Sequence, residues 1–262
     1  MTPKLALTLA CLLAAALPAT AEARCSIPAP PTKRVVVEED VSSSSLTQGR
    51  GSWQENSLIV ESRDGNTHSF YASAADDVRF GERDADYEAG AYAPIARHVI
   101  ADVIAAFSPQ HQVLPASSGQ IDLDVRAGAG YGYQAGFATR NYATVNASIQ
   151  HLGVDRYFRD LRLAGNVTVA HLNNVPGLAL SEGGSITRYL ACDTENFSVS
   201  TGRDVENTGV GTQLAVYHSQ TFYAGDLHRL SSHVGLLIGV GWYELTGAYN
   251  RLEIRFALRE RI

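Results

Sequence analysis

Lysine, cysteine and long apolar segments are scarce in this 262-residue sequence. Lys4 and Lys33 are its only lysines, which disfavours catalysis through a lysine nucleophile. After residue 23 no apolar run approaches the roughly 18 to 20 residues that a membrane-spanning helix needs. The P-loop, H-E-x-x-H, G-x-S-x-G and S-x-x-K patterns of common catalytic sites are also missing. These absences exclude many enzyme classes and predict no helical membrane span in the mature chain.

The first 23 residues have the pattern of an export signal. Lys4 supplies a short positive region, residues 5–17 form an apolar core, and the small-residue cleavage site is Ala19-Thr20-Ala21 or Ala21-Glu22-Ala23. We therefore expect an exported protein, either periplasmic or extracellular, with the outer membrane as the alternative location.

The charge of the chain is mildly acidic, with a formal net charge of −6. This balance argues against nucleic acid as a partner. The sequence has no Cys/His spacing of the kind that binds metals, and we predict neither a metal site nor a cofactor. The expected partner is an unknown protein, peptide or glycan of the cell envelope, and association with a membrane is left open.

The pattern of the mature chain predicts one α+β domain. Residues 24–48 are rich in proline and serine and are expected to form an extended arm. Residues 49–262 are expected to form a single domain, with a hairpin and a helix in 49–115 and a curved antiparallel sheet in 116–262. The predicted helix covers residues 94–107, because apolar residues recur there every four positions after Pro94.

An acidic, turn-rich run covers residues 76–88. Asp84, Asp86 and Glu88 stand at alternate positions, as carboxylates do in calcium-binding loops. The glycine of an EF-hand loop is misplaced by one position here. The favoured interpretation is a solvated acidic loop, and calcium binding stays open.

The longest regular pattern runs from Gln120 to Ala138. Its odd positions are apolar, while its even positions are polar and then glycine, which predicts a long strand at the centre of the sheet. We expect it to pair with residues 142–150. The bare glycine face, repeated in residues 234–243, allows close approach by a backbone or a large aromatic ring.

The densest group of residues with catalytic potential is Asp226, His228 and His233. A polar turn explains these residues as well as a hydrolase site does. The spacing of the two histidines suits neither a helix nor a strand for binding one metal ion.

The sequence is compatible with three functions. The first is a soluble exported protein that binds a ligand or assembles the cell envelope, without catalysis. The second is an outer-membrane β-barrel with a preceding periplasmic segment, in which about eight strands follow Gln120. The third is a secreted hydrolase with its site near Asp226, His228 and His233. We favour the first, because the predicted helix and the acidic loop suit a soluble fold.

Cys25 and Cys192 are the two cysteines that remain after removal of the signal, and we predict that they form a disulfide in an oxidising compartment. Two free thiols are the other possibility. Thiol labelling of the native, non-reduced protein distinguishes the two: we expect no labelled cysteine, and two reactive thiols would contradict the pairing.

Overall fold

The computed structural model describes residues 33–64, 68–173, 175–207 and 214–262. Within these ranges the chain forms one closed antiparallel barrel. Its strands are β1 Lys33–Leu46, β2 Ser52–Asp64, β3 His68–Arg79, β4 Glu82–Ala96, β5 Val99–Phe107, β6 Ser117–Arg126, β7 Tyr131–Asn141, β8 Asn146–Phe158, β9 Leu161–Leu172, β10 Val175–Tyr189, β11 Asp193–Asn207, β12 Leu214–Arg229, β13 Val234–Leu245 and β14 Tyr249–Arg261.

Each strand pairs with its neighbours in sequence, and β1 pairs with β14 to close the barrel. The closing register runs from Val36 opposite Arg261 to Leu46 opposite Arg251. No helix in the described part of the chain is long and apolar enough to cross a membrane.

The apolar faces of the strands point out of the barrel. In β6, Ile121 and Val125 are 47% and 40% exposed, whereas Asp122 between them is buried, with only 6% of its surface exposed. Successive side chains on a strand face opposite sides, so the carboxylate lies inside and the aliphatic side chains lie outside. The same arrangement recurs around the wall, which has an apolar outer surface and a polar lumen.

The predicted α+β class is therefore wrong, and the predicted helix at residues 94–107 does not exist. These residues form the end of β4, a turn at 97–98 and β5. A repeat of four fits an α-helix, but it is also a multiple of the two-residue repeat of a strand. Ile95, Val103 and Phe107 are exposed on the outer face of the barrel rather than packed on a soluble core.

The acidic run is also a pair of strands rather than a loop. β3 and β4 join at Phe80 and Gly81, which both have positive φ angles. The alternate spacing of Asp84, Asp86 and Glu88 places all three on the lumen face of β4. Residues 33–46, expected within an extended arm, form β1.

The run from Gln120 to Ala138 is divided between two strands. A 3₁₀ turn at Gly128–Gly130 separates β6 from β7, and Ala129 and Gly130 take φ angles of 59° and 80°. The expected pairing with residues 142–150 holds for β7 alone, where Phe137 lies opposite Gln150 and Ala138 opposite Ile149, whereas β6 pairs with β5 and β7.

The two ends of the barrel differ. One end carries both described chain ends and the turns at 97–98, 127–130, 159–160, 190–192 and 230–233; we call it the terminal end. The other carries the connections at 47–51, 80–81, 108–116, 142–145 and 246–248; we call it the loop end. The loop at residues 108–116 is the longest connection that the structure describes.

Asp84 holds this long loop in place. Its carboxylate, which is fully buried, accepts hydrogen bonds from the backbone N–H groups of Gln112, Val113 and Leu114 at 3.0, 2.8 and 2.8 Å. The backbone N–H of Ala85 also donates a hydrogen bond to Gln110 Oε1 in the loop. Charge-assisted bonds of this kind are stronger than neutral ones, so the loop is fixed to the barrel wall.

Replacing Asp84 with asparagine should release the loop, because the amide carries no charge and has one acceptor oxygen fewer. Loss of one charge-assisted hydrogen bond costs about 2 kcal/mol. We expect proteinase K to cut between residues 108 and 116 at least tenfold faster than in the unaltered protein. Asp76→Asn, at an exposed ion pair with Arg83, is the matched control. Equal cleavage of both variants would contradict the anchoring role.

Candidate functional site: the barrel lumen

Ion pairs line the lumen. Arg255 contacts Asp40 across the closing pair of strands, with Nε to Oδ2 at 2.6 Å, and Arg259 contacts Glu38 next to it. On the far side, Arg162 lies 3.3 Å from the buried carboxylate of Asp155. Burying a charge without a partner is costly, so these pairs let the wall carry charged residues inward.

Charges of opposite sign are concentrated on different parts of the wall. A basic group lies on β1, β2, β12 and β14, near the terminal end, and its members are close enough to repel one another electrostatically. It consists of Arg34, Arg63, Arg229, Arg259 and Arg261. An acidic group lies on β4, β5 and β6 and consists of Asp86, Glu88, Asp102, Asp122 and Asp124. Any solute inside the barrel would therefore meet an uneven electric field.

A cavity of about 470 Å³ lies between strands β2 and β5. Glu61 and Arg63, which form an ion pair of 2.6 Å, contribute to one side. Tyr71, Tyr92 and Asp102 contribute to the other side. Apart from Ile59, the residues that line the cavity carry polar groups.

Inward-facing glycines give room to large lumen side chains. The ring of Tyr223 lies against Gly225 and Gly239, where an added Cβ would come within 3.0 Å of ring atoms. The ring of Tyr71 lies in the same way against Gly90. Gly239 belongs to the glycine face at 234–243, whose pattern predicts room for such a ring, whereas Gly90 and Gly225 lie outside the predicted faces.

At the loop end, the hairpin of β11 and β12 leaves the barrel wall. Pairing between β10 and β11 ends at Ser181 and Gly202, and pairing between β12 and β13 ends at Ser219 and Leu245. Beyond these points the two strands pair with each other, up to Asn207 opposite Leu214, and one bond to the wall remains, from the backbone N–H of Thr246 to the carbonyl of His218 at 2.9 Å. We call the described residues 203–207 and 214–218 the inner hairpin.

Gly202 permits this departure. Its φ angle is +146°, and an added Cβ would collide with the backbone of Ser181. A residue with a side chain rarely adopts such a conformation, so glycine is needed where β11 turns away from β10.

The inner hairpin contacts two separated parts of the wall. Tyr217 packs with Trp53, Tyr243 and Tyr249, and Tyr243 donates a hydrogen bond of 3.4 Å to Asp204. Val205, Leu214 and Val216 pack instead with a second cluster in the β7–β8 turn and on β8 and β9, formed by Tyr142, Val145, Ala147 and Leu172. Because β8 and β9 are several strands away from β13 around the wall, the hairpin lies across part of the mouth.

Two arginine side chains lie over the ring of Trp53, near the inner hairpin. The guanidinium carbons of Arg79 and Arg251 lie 4.9 and 4.6 Å from the centre of the Trp53 ring. Both arginines also interact electrostatically with Glu206 of the inner hairpin. The opposite charges of Glu206 and these two arginines therefore hold the hairpin against the wall, while the cation–π contacts fix the arginines on the wall itself.

The structure brings together two of the three residues predicted as a hydrolase site, with a different third member. Asp226, His228 and Asp193 place their ligand atoms within 4.8 Å of one another, and His228 Nδ1 contacts Asp193 Oδ1. His233 contacts Ser231 and Ser232 in the turn between β12 and β13. By strand alternation, Asp226 and His228 face out of the barrel, away from the lumen.

Cys192 lies in the turn between β10 and β11, at the terminal end. Cys25 and the export signal lie outside the described residues. The disulfide between Cys25 and Cys192 therefore stays a prediction.

Comparisons with known proteins agree with this architecture. The model of the YaiO membrane β-barrel domain matches residues 36–205. This chain belongs to that family. No curated protein matches its sequence.

Several solved barrels share the fold at low sequence identity. One titled "CymD monoaromatic hydrocarbon channel" has a TM-score of 0.60 and 8% identity, with 89% of each chain covered. A "bacterial polysaccharide outer membrane secretin" has a TM-score of 0.59 and 9% identity, covering 88% of this chain and 99% of the other. The outer membrane protein Omp33 of Acinetobacter baumannii has a TM-score of 0.55 and 9% identity, with 88% and 100% covered. At these identities the likeness concerns the fold alone.

The family and the barrel overturn the preferred interpretation of a soluble binding or assembly protein. The outer-membrane β-barrel, considered as the alternative, is the correct one. The strands begin at residue 33 rather than at Gln120, and fourteen of them are described rather than about eight. The residues of the lumen site, including Gly202, Glu206 and Arg251, had no motif to identify them. The one signal in the sequence was the continued two-residue alternation through the first half of the chain.

The glycine beside Tyr223 provides a stability test. Gly239→Ala should displace the ring and lower the free energy of unfolding by about 1–3 kcal/mol, the usual cost of overpacking. Gly235→Ala is the control, since a Cβ there would lie 3.5 Å from its nearest neighbour, an ordinary contact. Urea unfolding in lipid vesicles measures the free energy of unfolding of both variants. A control variant that loses as much stability as Gly239→Ala would refute the role of the glycine.

Proposed function

We propose that this chain is a non-enzymatic outer-membrane channel for small polar solutes, such as short glycans or peptides, and that the inner hairpin gates it. The observation that carries the proposal is the hairpin itself. It lies across the mouth of a polar lumen, and beyond Gly202 and His218 its described residues have no backbone hydrogen bond to the wall. The part of the hairpin beyond these residues can swing without breaking backbone hydrogen bonds of the barrel.

The lengths of the connections at the two ends support one orientation of the barrel in the outer membrane. Bacterial outer-membrane barrels have short periplasmic turns and longer extracellular loops. The terminal end would then face the periplasm, and the loop end, with the 108–116 loop and the inner hairpin, would face outside. The hairpin would thus control entry from the exterior.

The hydrophilic lining of the lumen supports the proposal that the transported solutes are polar. Ion pairs such as Arg255 with Asp40 keep its wall hydrophilic, and the cavity of about 470 Å³ has a carboxylate and a guanidinium at its edge. Polar solutes can exchange hydrogen bonds with such a wall in place of water. A similar fold belongs to a structure titled as a channel, which agrees with the proposal.

The proposal is tested by conductance in planar lipid bilayers. Replacing the hairpin from residue 203 to 218 with an Asn-Gly turn should give a steady conductance several-fold above that of the unaltered protein. The physical reason is that the segment lying across the mouth is removed while the barrel stays closed. A folded deletion variant with no conductance would refute the channel.

A second variant tests the gate without deleting residues. Arg79→Gln with Arg251→Gln removes the positive charges near Glu206 and should raise the open probability several-fold. Arg83→Gln breaks an exposed ion pair with Asp76 and is the matched control, with unchanged gating expected. If the double variant gates like the control, the hairpin is not held by these charges.

A further inference from the structure

The basic group of the lumen lies at the terminal end of the barrel. Arg229 and Arg261 are the last residues of β12 and β14, and Arg34 on β1 lies opposite Arg63 on β2. Alternation along the strands turns these four side chains, together with Arg259, into the lumen. The strands β12, β13, β14, β1 and β2 are consecutive around the wall. The basic group therefore covers one side of the terminal mouth.

Positive charge is in excess within the basic group. Arg63 forms an ion pair of 2.6 Å with Glu61, and Arg259 contacts Glu38. The largest electrostatic interactions of Arg261, by contrast, are all with the other four arginines. Five guanidinium groups and two carboxylates leave an excess of three positive charges. Like charges held together in this way repel one another unless an anion lies between them.

The rest of the chain does not supply that anion. Aspartate and glutamate are absent from those residues after position 23 that lie outside the described ranges, namely 24–32, 65–67, 174 and 208–213. Among the described residues, Arg63 Nε and Arg261 Nη1 are buried and have no hydrogen-bond partner. A buried donor without an acceptor is unfavourable, so these two atoms indicate an acceptor from outside the chain.

A glycine leaves room for such an acceptor. Gly235 of β13 lies opposite both Arg229 and Arg259, between the strands that carry them. Its nearest neighbour is Leu227, whose Cδ1 would lie 3.5 Å from an added Cβ, so the wall is open at this point. The cavity of about 470 Å³ reaches the basic group at Arg63. A group larger than a single ion therefore has space against the guanidinium groups.

On the basis of the proposed channel function, we propose that its solutes are acidic and that the basic group binds those with two or three carboxylate or phosphate groups. The planar fork of a guanidinium matches both of these groups with paired hydrogen bonds. A neutral solute leaves the repulsion among the arginines in place, and one chloride ion offsets a single charge. The acidic group lies on β4, β5 and β6 and directs an anion towards the basic side of the lumen.

Equilibrium binding tests the site in folded full-length protein in a non-ionic detergent. Titration calorimetry at fixed ionic strength uses citrate as the carboxylate probe, pyrophosphate as the phosphate probe and glucose as the neutral control. We expect binding of citrate, of pyrophosphate or of both, and none of glucose. Binding of only one anion identifies the preferred group. Absence of binding by both anions would overturn the proposal.

Arginine substitutions locate the binding to the basic group. Arg229→Gln with Arg261→Gln removes two charges that have no ion pair within the described residues, and should weaken anion binding at least tenfold. Arg97→Gln with Arg159→Gln is the matched control, because both arginines are exposed in turns of the same end. Its binding should stay within twofold of the unaltered protein. Equal weakening in the two double variants would show that no specific site exists.

A carboxylate supplied by the chain itself tests the same electrostatics without removing an arginine. Gly235→Glu places a negative charge between Arg229 and Arg259, and Gly235→Gln places an uncharged group of the same shape there. In the absence of added anion, the glutamate variant should keep its folded gel migration to a temperature about 3 °C or more above that of the glutamine variant. Citrate should raise the second temperature more than the first. Equal temperatures without citrate would contradict an unsatisfied excess of positive charge.

These measurements separate the anion site from the channel, because none of them depends on conductance. A folded protein that binds citrate or pyrophosphate and does not conduct refutes the channel alone. A folded protein that conducts and binds neither anion refutes the anion site alone. Heat-modifiable migration in gels checks that each variant is folded.

Discussion

Backbone hydrogen bonding is the constraint on which this structure depends. A strand in lipid cannot satisfy its N–H and C=O groups with water, so every wall strand needs a neighbour on both sides. The pairing of β1 with β14 supplies the last of these neighbours and removes the sheet edges. Arg255 with Asp40, and Arg259 with Glu38, cross the same pair of strands inside the lumen. Closure and the polar lining therefore reinforce each other where the two ends of the chain meet.

The two inward features at the loop end satisfy their backbone groups differently. The 108–116 loop has irregular backbone, and the carboxylate of Asp84 accepts three of its N–H groups. The inner hairpin needs no such support, because its two strands bond to each other. The loop is thus bound to the wall at several points, through Asp84, Gln110 and the backbone of Ala116, whereas the hairpin beyond His218 is bound through side chains, with Gly202 at its base. This difference is why the hairpin, and not the loop, is the candidate for a moving part.

The outer wall shows how alternation can mislead a prediction. Residues 94–107 have apolar side chains at intervals of four, which satisfy an amphipathic helix and an alternating strand equally well. In a soluble protein the apolar face would lie inside and the acidic run at 76–88 would be solvated loop. In this barrel the same apolar face meets lipid, and Asp84, Asp86 and Glu88 line the lumen. The predicted cluster of Asp226, His228 and His233 is divided for a related reason, since strand alternation sends Asp226 and His228 to the outer face and His233 lies in a turn.

The sequence by itself determined part of the local structure. Alternation specified strands from Gln120 onward, and the glycine face at 234–243 marked a surface where the ring of Tyr223 lies, but the same pattern predicted one strand through the turn at 128–130 and a helix at 94–107. It did not determine which face met solvent, because a soluble sheet and a membrane barrel have the same two-residue repeat. Only the tertiary structure decided that, through the pairing of β1 with a strand more than 200 residues away. The lumen site has the same origin, since Arg79, Trp53, Glu206 and Arg251 meet only when the wall closes.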